Sequence, residues 1–214
     1  MVNSNNILPL ISPYLSPILV RCVLENNKKG INKKSITGGC NHIRFEAAML
    51  FADISGFSQL TEIFAQQGGQ GAEELIKLIN RYFSQMITIA ESQGGEVIQF
   101  SGDALTLLFP AVKESLAKAI KRAEQTALSI QQTLDDVGVI LVENKVIKLG
   151  MKVGIGAGEV FTMDIGGVKN RRFYVIAGKP FDQMLEAESM AQSGDVVLSP
   201  EASMLIFSKP LKPK

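Results

Sequence analysis

Two aspartates stand where the chain turns at an apolar run. Asp53 follows Met49-Leu50-Phe51-Ala52 and precedes Ile54-Ser55-Gly56-Phe57, and Asp103 lies in the Ser101-Gly102-Asp103 turn of VIQFSGDALTLLF, residues 97–109. Carboxylates are hard oxygen ligands, and Mg2+ keeps several of its waters. One or two carboxylates plus substrate phosphates therefore suffice to hold it. Two such ions about 3.5–4 Å apart activate an attacking oxygen and stabilise a leaving pyrophosphate. The stretch Ile54-Ser55-Gly56-Phe57 adds backbone amides at a helix N-terminus, a seat for phosphate, and Gly56 keeps a side chain out of the approach. Taken singly, Asp53 reads equally as a helix-capping residue and Asp103 as a turn residue bonded to its own backbone. Taken together, in this order, the pair favours a metal site.

That reading requires elements that bring the two turns to one edge. FEAAMLFAD is apolar without alternation, as in a strand buried on both faces. Ser55 is placed to cap a helix starting at Gly56 and ending at the QQGGQG break, residues 66–71. From Ala72, Leu75, Ile79, Tyr82, Met86 and Ile89 mark one face of a second helix, closed by Gly94-Gly95. EVIQF and ALTLLF, joined by Ser101-Gly102-Asp103, form a hairpin. Leu116, Ile120, Ala123, Ala127, Ile130 and Leu134 mark a third helix. A strand over 147–160, with FTMDIGG leading by way of KNRR to another strand, FYVIAG, a helix over 181–192 and a last strand DVVLS complete the order. Crossover, hairpin and second crossover describe an α+β, ferredoxin-like sandwich. In that fold a strand end and a neighbouring hairpin turn share one edge of the sheet.

The totals bound the rest. The chain has 214 residues, 46% of them hydrophobic, and a formal net charge of +1. That is enough for one cored domain, and it gives no electrostatic case for nucleic acid or an anionic membrane. Cys22 and Cys40 make no disulfide framework, which suits a reduced cytoplasmic setting. His42 is expected in a polar loop over 38–44. No apolar stretch reaches the roughly 20 residues of a membrane span, and the start lacks the pattern of a secretory signal. Residues 7–26 are apolar but carry Pro9, Pro13 and Pro17, so a helix is expected only from about Pro17. The expected organisation is an N-terminal helical segment and loop over 1–44, a main domain over 45–205 and a linker-like tail over 206–214.

With these elements in place, FADISGF followed fifty residues later (103 − 53) by FSGDAL resembles the class III nucleotidyl cyclase domain. The chain is most similar to the first catalytic half of the soluble, bicarbonate-responsive adenylyl cyclases. GAEELIKLINRYF, GGEVIQFSGDALTLLF, VGIGAGEV and DVVLSPE match in order and spacing, over roughly residues 7–200. The resemblance implies a ferredoxin-like class III cyclase sandwich with an N-terminal helical extension. It implies closure of ATP to cyclic AMP, the ribose 3′ oxygen attacking the α-phosphate and pyrophosphate leaving. Asp53 and Asp103 would bind two Mg2+ ions, with Mn2+ as a substitute. The Ile54 carbonyl would add a ligand, and Ser55, Gly56 and Phe57 would hold phosphate.

The chain also departs from the pattern. A complete site takes a lysine and a polar partner for adenine, and an asparagine and arginine for the transition state, from a second half-domain. The lysine position is Gln99, the adenine partner falls on Val175, and GKPFDQMLE supplies Asp182 and Glu186 for the other two. A glutamate in place of arginine repels the charge that develops. Two copies of this chain would pair only non-productively, and catalysis requires a second, different cyclase homology domain in the same or another chain. The lysine and arginine that hold bicarbonate in the soluble branch read Gln99 and Leu185. An alternative function is a catalytically inactive, cyclase-like regulatory or dimerisation module. A phosphoacceptor receiver domain built on Asp53 does not fit, because FSGDALTLLF is a hairpin where that fold needs a βα unit. The glycines of GIGAGEV are read as strand glycines, not a dinucleotide loop. Lys169, Arg171 and Arg172 are read as a hairpin tip, and Met184 and Met190 as core.

Overall fold

A computed structural model of the chain describes residues 42–112, 114–142, 145–166 and 172–207. The elements are β1 (His42–Ser55), α1 (Phe57–Gln66), α2 (Gly68–Ser92), β2 (Glu96–Ser101), β3 (Ala104–Pro110), α3 (Leu116–Val137), β4 (Val139–Val142) and β5 (Lys145–Lys148). They continue as β6 (Gly150–Gly166), β7 (Arg172–Ala177), α4 (Lys179–Ser189), β8 (Val196–Leu198) and α5 (Pro200–Phe207). The expected N-terminal helix, Lys169 and Arg171 of the expected hairpin tip, and the tail beyond Phe207 lie outside the described residues, while Arg172 opens β7.

The chain divides into two compact units, the larger being Glu46–Glu159 with Lys179–Lys214. In it the sheet runs β2-β3-β1-β6, with β8 also on β6. This is the strand order that a β-α-β-β-α-β ferredoxin-like chain produces. β1 and β3 pair antiparallel from Ala47↔Pro110 to Asp53↔Ala104, and β8 joins β6 in parallel through Val153↔Val196. In the smaller unit the far half of β6 pairs antiparallel with β7 from Phe161↔Ala177 to Gly166↔Arg172.

The central strands are apolar because both of their faces are covered. Ala47, Ala48, Met49, Leu50 and Ala52 of β1 and Leu105, Leu107, Leu108 and Phe109 of β3 are wholly buried. Against them lies the expected stripe of α3: Leu116, Ile120, Ala123, Ala127, Ile130 and Leu134 are all buried. Tyr82 and Met86 of α2 are buried too, while Leu75, Ile79 and Ile89 pack at the margin of the core. One cation ties several of these pieces together. Arg122 on α3 donates from Nη1 to the carbonyls of Gln93 (2.7 Å) and Gly94 (3.0 Å), and from Nη2 to that of Pro110 (2.9 Å). Its Nε donates to Glu114 at 2.9 Å, and the guanidinium lies 5.8 Å from the centre of the Phe109 ring.

Several expectations are corrected. The first helix ends at QQGGQG, at Gln66, but the break is one residue: only Gln67 separates α1 from α2, and Gly68 to Gly71 belong to α2, which was expected to start at Ala72. Gly71 is there because a Cβ would overlap the Phe64 carbonyl, so the glycine lets two helices meet. β1 already includes His42 to Arg44, which were expected to belong to a polar loop. The strand expected over 147–160 is divided: β4 and β5 form a separate two-stranded hairpin, and β6 starts afresh at Gly150. A short helix, α5, follows the last strand. Met184 is core at 1% exposure, but Met190 is 64% exposed, since α4 ends one residue before it.

Candidate active-site edge

Asp53 and Asp103 come together. The antiparallel register sets Asp53 opposite Ala104, the residue after Asp103, so strand end and turn share one edge. Both aspartates are half-buried. Burial raises the Asp53 carboxyl above the ordinary aspartate value, and the Asp103 charge raises it further, followed by Glu188; Lys152 opposes them. Asp103 being the leading charge on Asp53 is the electrostatic sign of two carboxylates facing one space.

After Asp53 the strand continues through Ile54, which is buried, to Ser55, and the chain turns at Gly56, whose φ is +90°. That left-handed turn costs glycine nothing. A Cβ here would also lie 3.2 Å from the Lys148 carbonyl, so the turn is pressed against β5. Gly56, not Ser55, caps α1, with no side-chain cap bond, and its carbonyl accepts the Leu60 amide at 3.2 Å. The expected Ser55 cap is thus corrected: Ser55 Oγ instead pairs with Ser193 Oγ at 2.6 Å, tying β1 to the turn before β8.

Lys152 and Glu188 complete the edge, and reasoning from sequence missed both. Lys152 Nζ lies 3.0 Å from Glu188 Oε1 and 3.9 Å from Asp53 Oδ2. The hydrogen bond to Glu188, then its charge, raises the lysine pKa. A signal was present: Lys152 is a lone charge between Met151 and Val153, both wholly buried. A charge kept in such a strand has a partner.

The residues standing where the transition-state groups are expected lie elsewhere. Asp182 and Glu186 are exposed on α4 with Leu185 (45% exposed) between them. Gln99 is exposed on β2, opposite Thr106 and just past an irregularity in register. Val175, on β7 in the smaller unit, is half-buried.

Among the described residues no group of three or more His, Cys, Asp or Glu side chains is arranged to hold a metal. The donor set at this edge is two mutually repelling, half-buried carboxylates. Mg2+ tolerates such a partial shell, and the surplus negative charge fits a divalent cation. No helix among the described residues is long and apolar enough to cross a membrane.

Comparison with known proteins identifies the fold and the family. Residues 43–210 match the family described as adenylate and guanylate cyclase catalytic domain. Adenylate cyclase type 10 of Rattus norvegicus is 32% identical over 167 residues, 75% of this chain and 10% of that protein, and the Homo sapiens protein is 30% identical over 165. The chain thus spans about a tenth of the length of these relatives. Among solved structures, the adenylyl cyclase CyaB of P. aeruginosa superposes with a TM-score of 0.63 at 24% identity, covering 78% of this chain and 83% of its own. The guanylyl cyclase Cya2 gives a TM-score of 0.63 at 27% identity, covering 77% and 79%. The curled antiparallel sheet with its helices is the class III cyclase fold, and the chain belongs to the adenylate and guanylate cyclase catalytic domain family.

Proposed function

We propose that this chain is the metal-binding first half of a class III adenylyl cyclase, incomplete until a second cyclase domain joins it. The observation that carries the reading is the convergence of Asp53 and Asp103 on one edge, Asp53 of β1 standing opposite Ala104 of β3, the residue after Asp103. Asp53 and Asp103 would hold two Mg2+ ions, or Mn2+ in their place, with the Ile54 carbonyl as a further ligand. Bound there, the ions would lower the cost of charge on the attacking and leaving oxygens. The amides of Ser55, Gly56 and Phe57 lie at the start of α1 and would receive phosphate. Lys152 brings a positive charge to the same edge. Together these groups orient the triphosphate of ATP for attack by its 3′ oxygen.

They do not complete the reaction. Asp182 and Glu186 put two carboxylates where a transition-state clamp needs an amide and a guanidinium, and Gln99 leaves no lysine for the base. A partner domain must supply these groups. A homodimer of this chain would supply only more acid. The same acidic pair supports a second reading, a cyclase-like module that dimerises with a true cyclase without contributing to turnover.

Mixing distinguishes them. The purified chain with ATP and Mn2+ is expected to make no appreciable cyclic AMP. With a cyclase domain carrying the lysine, asparagine and arginine, turnover is expected to appear. Turnover by the chain alone defeats the half-site argument, and silence in the mixture favours the regulatory module.

A further inference from the structure

β6 and α4 are fixed against each other by contacts that do not involve charge. A Cβ on Gly154 would overlap the Met184 carbonyl, and one on Gly156 the Pro180 carbonyl, so the helix lies directly on strand backbone. Gln183 Oε1 then accepts the Ala157 amide at 2.9 Å, fixing the helix along the strand. This docking delivers Glu188, at the end of α4, onto Lys152 near the start of β6.

Lys152 has two kinds of carboxylate to choose from. Glu188 Oε1 is at 3.0 Å and its side chain is 14% exposed, while Asp53 Oδ2 is at 3.9 Å and its side chain is 30% exposed. The closer bond is to the more buried acid, where the attraction is less screened. If Glu188 were absent, the ammonium would settle on Asp53 and occupy the space a divalent ion needs. We infer that Glu188 is a positioning residue: it draws the Lys152 ammonium off Asp53, and so sets how tightly the Asp53–Asp103 pair takes a divalent cation. This rests on the metal-site reading above. Lys152 is thereby a tethered competitor for the ion, withdrawn a short distance and free to turn toward the phosphates that arrive with it.

Mn2+ alone, titrated into the 214-residue chain and followed by the resonance of the free ion, tests this without any turnover. Lys152→Gln is expected to tighten Mn2+ about tenfold, since it removes a unit charge a few ångströms from the ion. Glu188→Gln is expected to weaken binding about threefold to tenfold, and Glu188→Asp to recover most of that loss. In the Lys152→Gln background the same Glu188→Gln change should shift the affinity clearly less than in the parent, leaving only the direct pull of the Glu188 charge that also bears on Asp53. Equal weakening in both backgrounds would mean that Glu188 attracts the ion directly, and overturns the inference. Binding that survives Asp53→Asn, or that is undetectable in both the parent and Lys152→Gln, overturns the metal site itself. Binding that needs Asp53 but ignores Glu188→Gln overturns this inference alone. Thermal melting of each variant separates loss of fold from loss of site.

Discussion

Arg122 and Lys152 are both half-buried cations, and their surroundings differ in kind. Arg122 is saturated: three carbonyls and Glu114 receive its donors, and a phenyl ring lies under it. One positive charge meets one negative charge, and nothing is left over. Lys152 stands instead among Glu188, Asp53 and the neighbouring Asp103, so negative charge exceeds positive. A balanced cation consolidates a fold. An unbalanced cluster costs stability, and such an excess of like charge is more typical of functional sites than of structural ion pairs.

The largest effect expected from breaking the unbalanced side is catalytic. Asp53→Asn or Asp103→Asn, in a complex with the missing half, should lower turnover at least about 100-fold, since the metal's charge stabilisation is worth several kcal/mol. Circular dichroism should show the fold intact. Near-normal turnover in either variant would remove the site.

Breaking the balanced side should instead cost stability. Arg122→Ala leaves Glu114 and three carbonyls without their donor and should destabilise the chain by about 2–3 kcal/mol. Mn2+ affinity of the folded protein should be unchanged. Urea titration and Mn2+ binding on the same sample check both halves, and a variant with altered metal affinity and normal stability would reverse the roles assigned to the two cations.

A smaller effect concerns regulation. Gln99 and Leu185 offer no cation for an anion such as bicarbonate, so the reconstituted enzyme should respond weakly to it at fixed pH. Saturable, several-fold activation would show that another part of the chain binds it.

The smallest effect is on pH dependence. The folded state holds the Asp53 pKa above its ordinary value of 3.8, through burial first and Asp103 second. The folded chain therefore keeps this proton more readily than the unfolded one. The associated stability is present below 3.8 and is lost as pH rises through the folded-state value. Asp53→Asn abolishes that loss. Denaturation midpoints taken from acid to neutral pH should show the variant gaining on the parent as pH rises, and a constant or shrinking difference would contradict the electrostatic account.

What could be read from the sequence was whatever one segment carries by itself. The stripe from Leu116 to Leu134 repeats at helical spacing and is buried as its spacing requires. FADISGF and FSGDAL each announce a turn after a strand, and register alone then joins Asp53 to Asp103. What could not be read depends on a second segment arriving. Gly71 looks like a helix stop until Phe64 is known to lie across it. Ser55 looks like a cap until Ser193 takes its hydroxyl. The hairpin of β4 and β5 is two four-residue strands, too short for alternation to declare them. Lys152 and Glu188 pair only because bare glycine backbone at 154 and 156 admits α4 onto β6.

The central claim is that Asp53 and Asp103 serve one divalent-cation site, and the most direct measurement is anomalous diffraction. Crystals of this chain paired with a complementary cyclase domain would be grown with Mn2+ and a non-reacting ATP analogue, and data collected at the manganese edge. The account predicts anomalous peaks in contact with both carboxylates and with the analogue's phosphates. Peaks that touch neither aspartate, or a nucleotide bound away from the edge where β1 meets the Gly102-Asp103 turn, would contradict it.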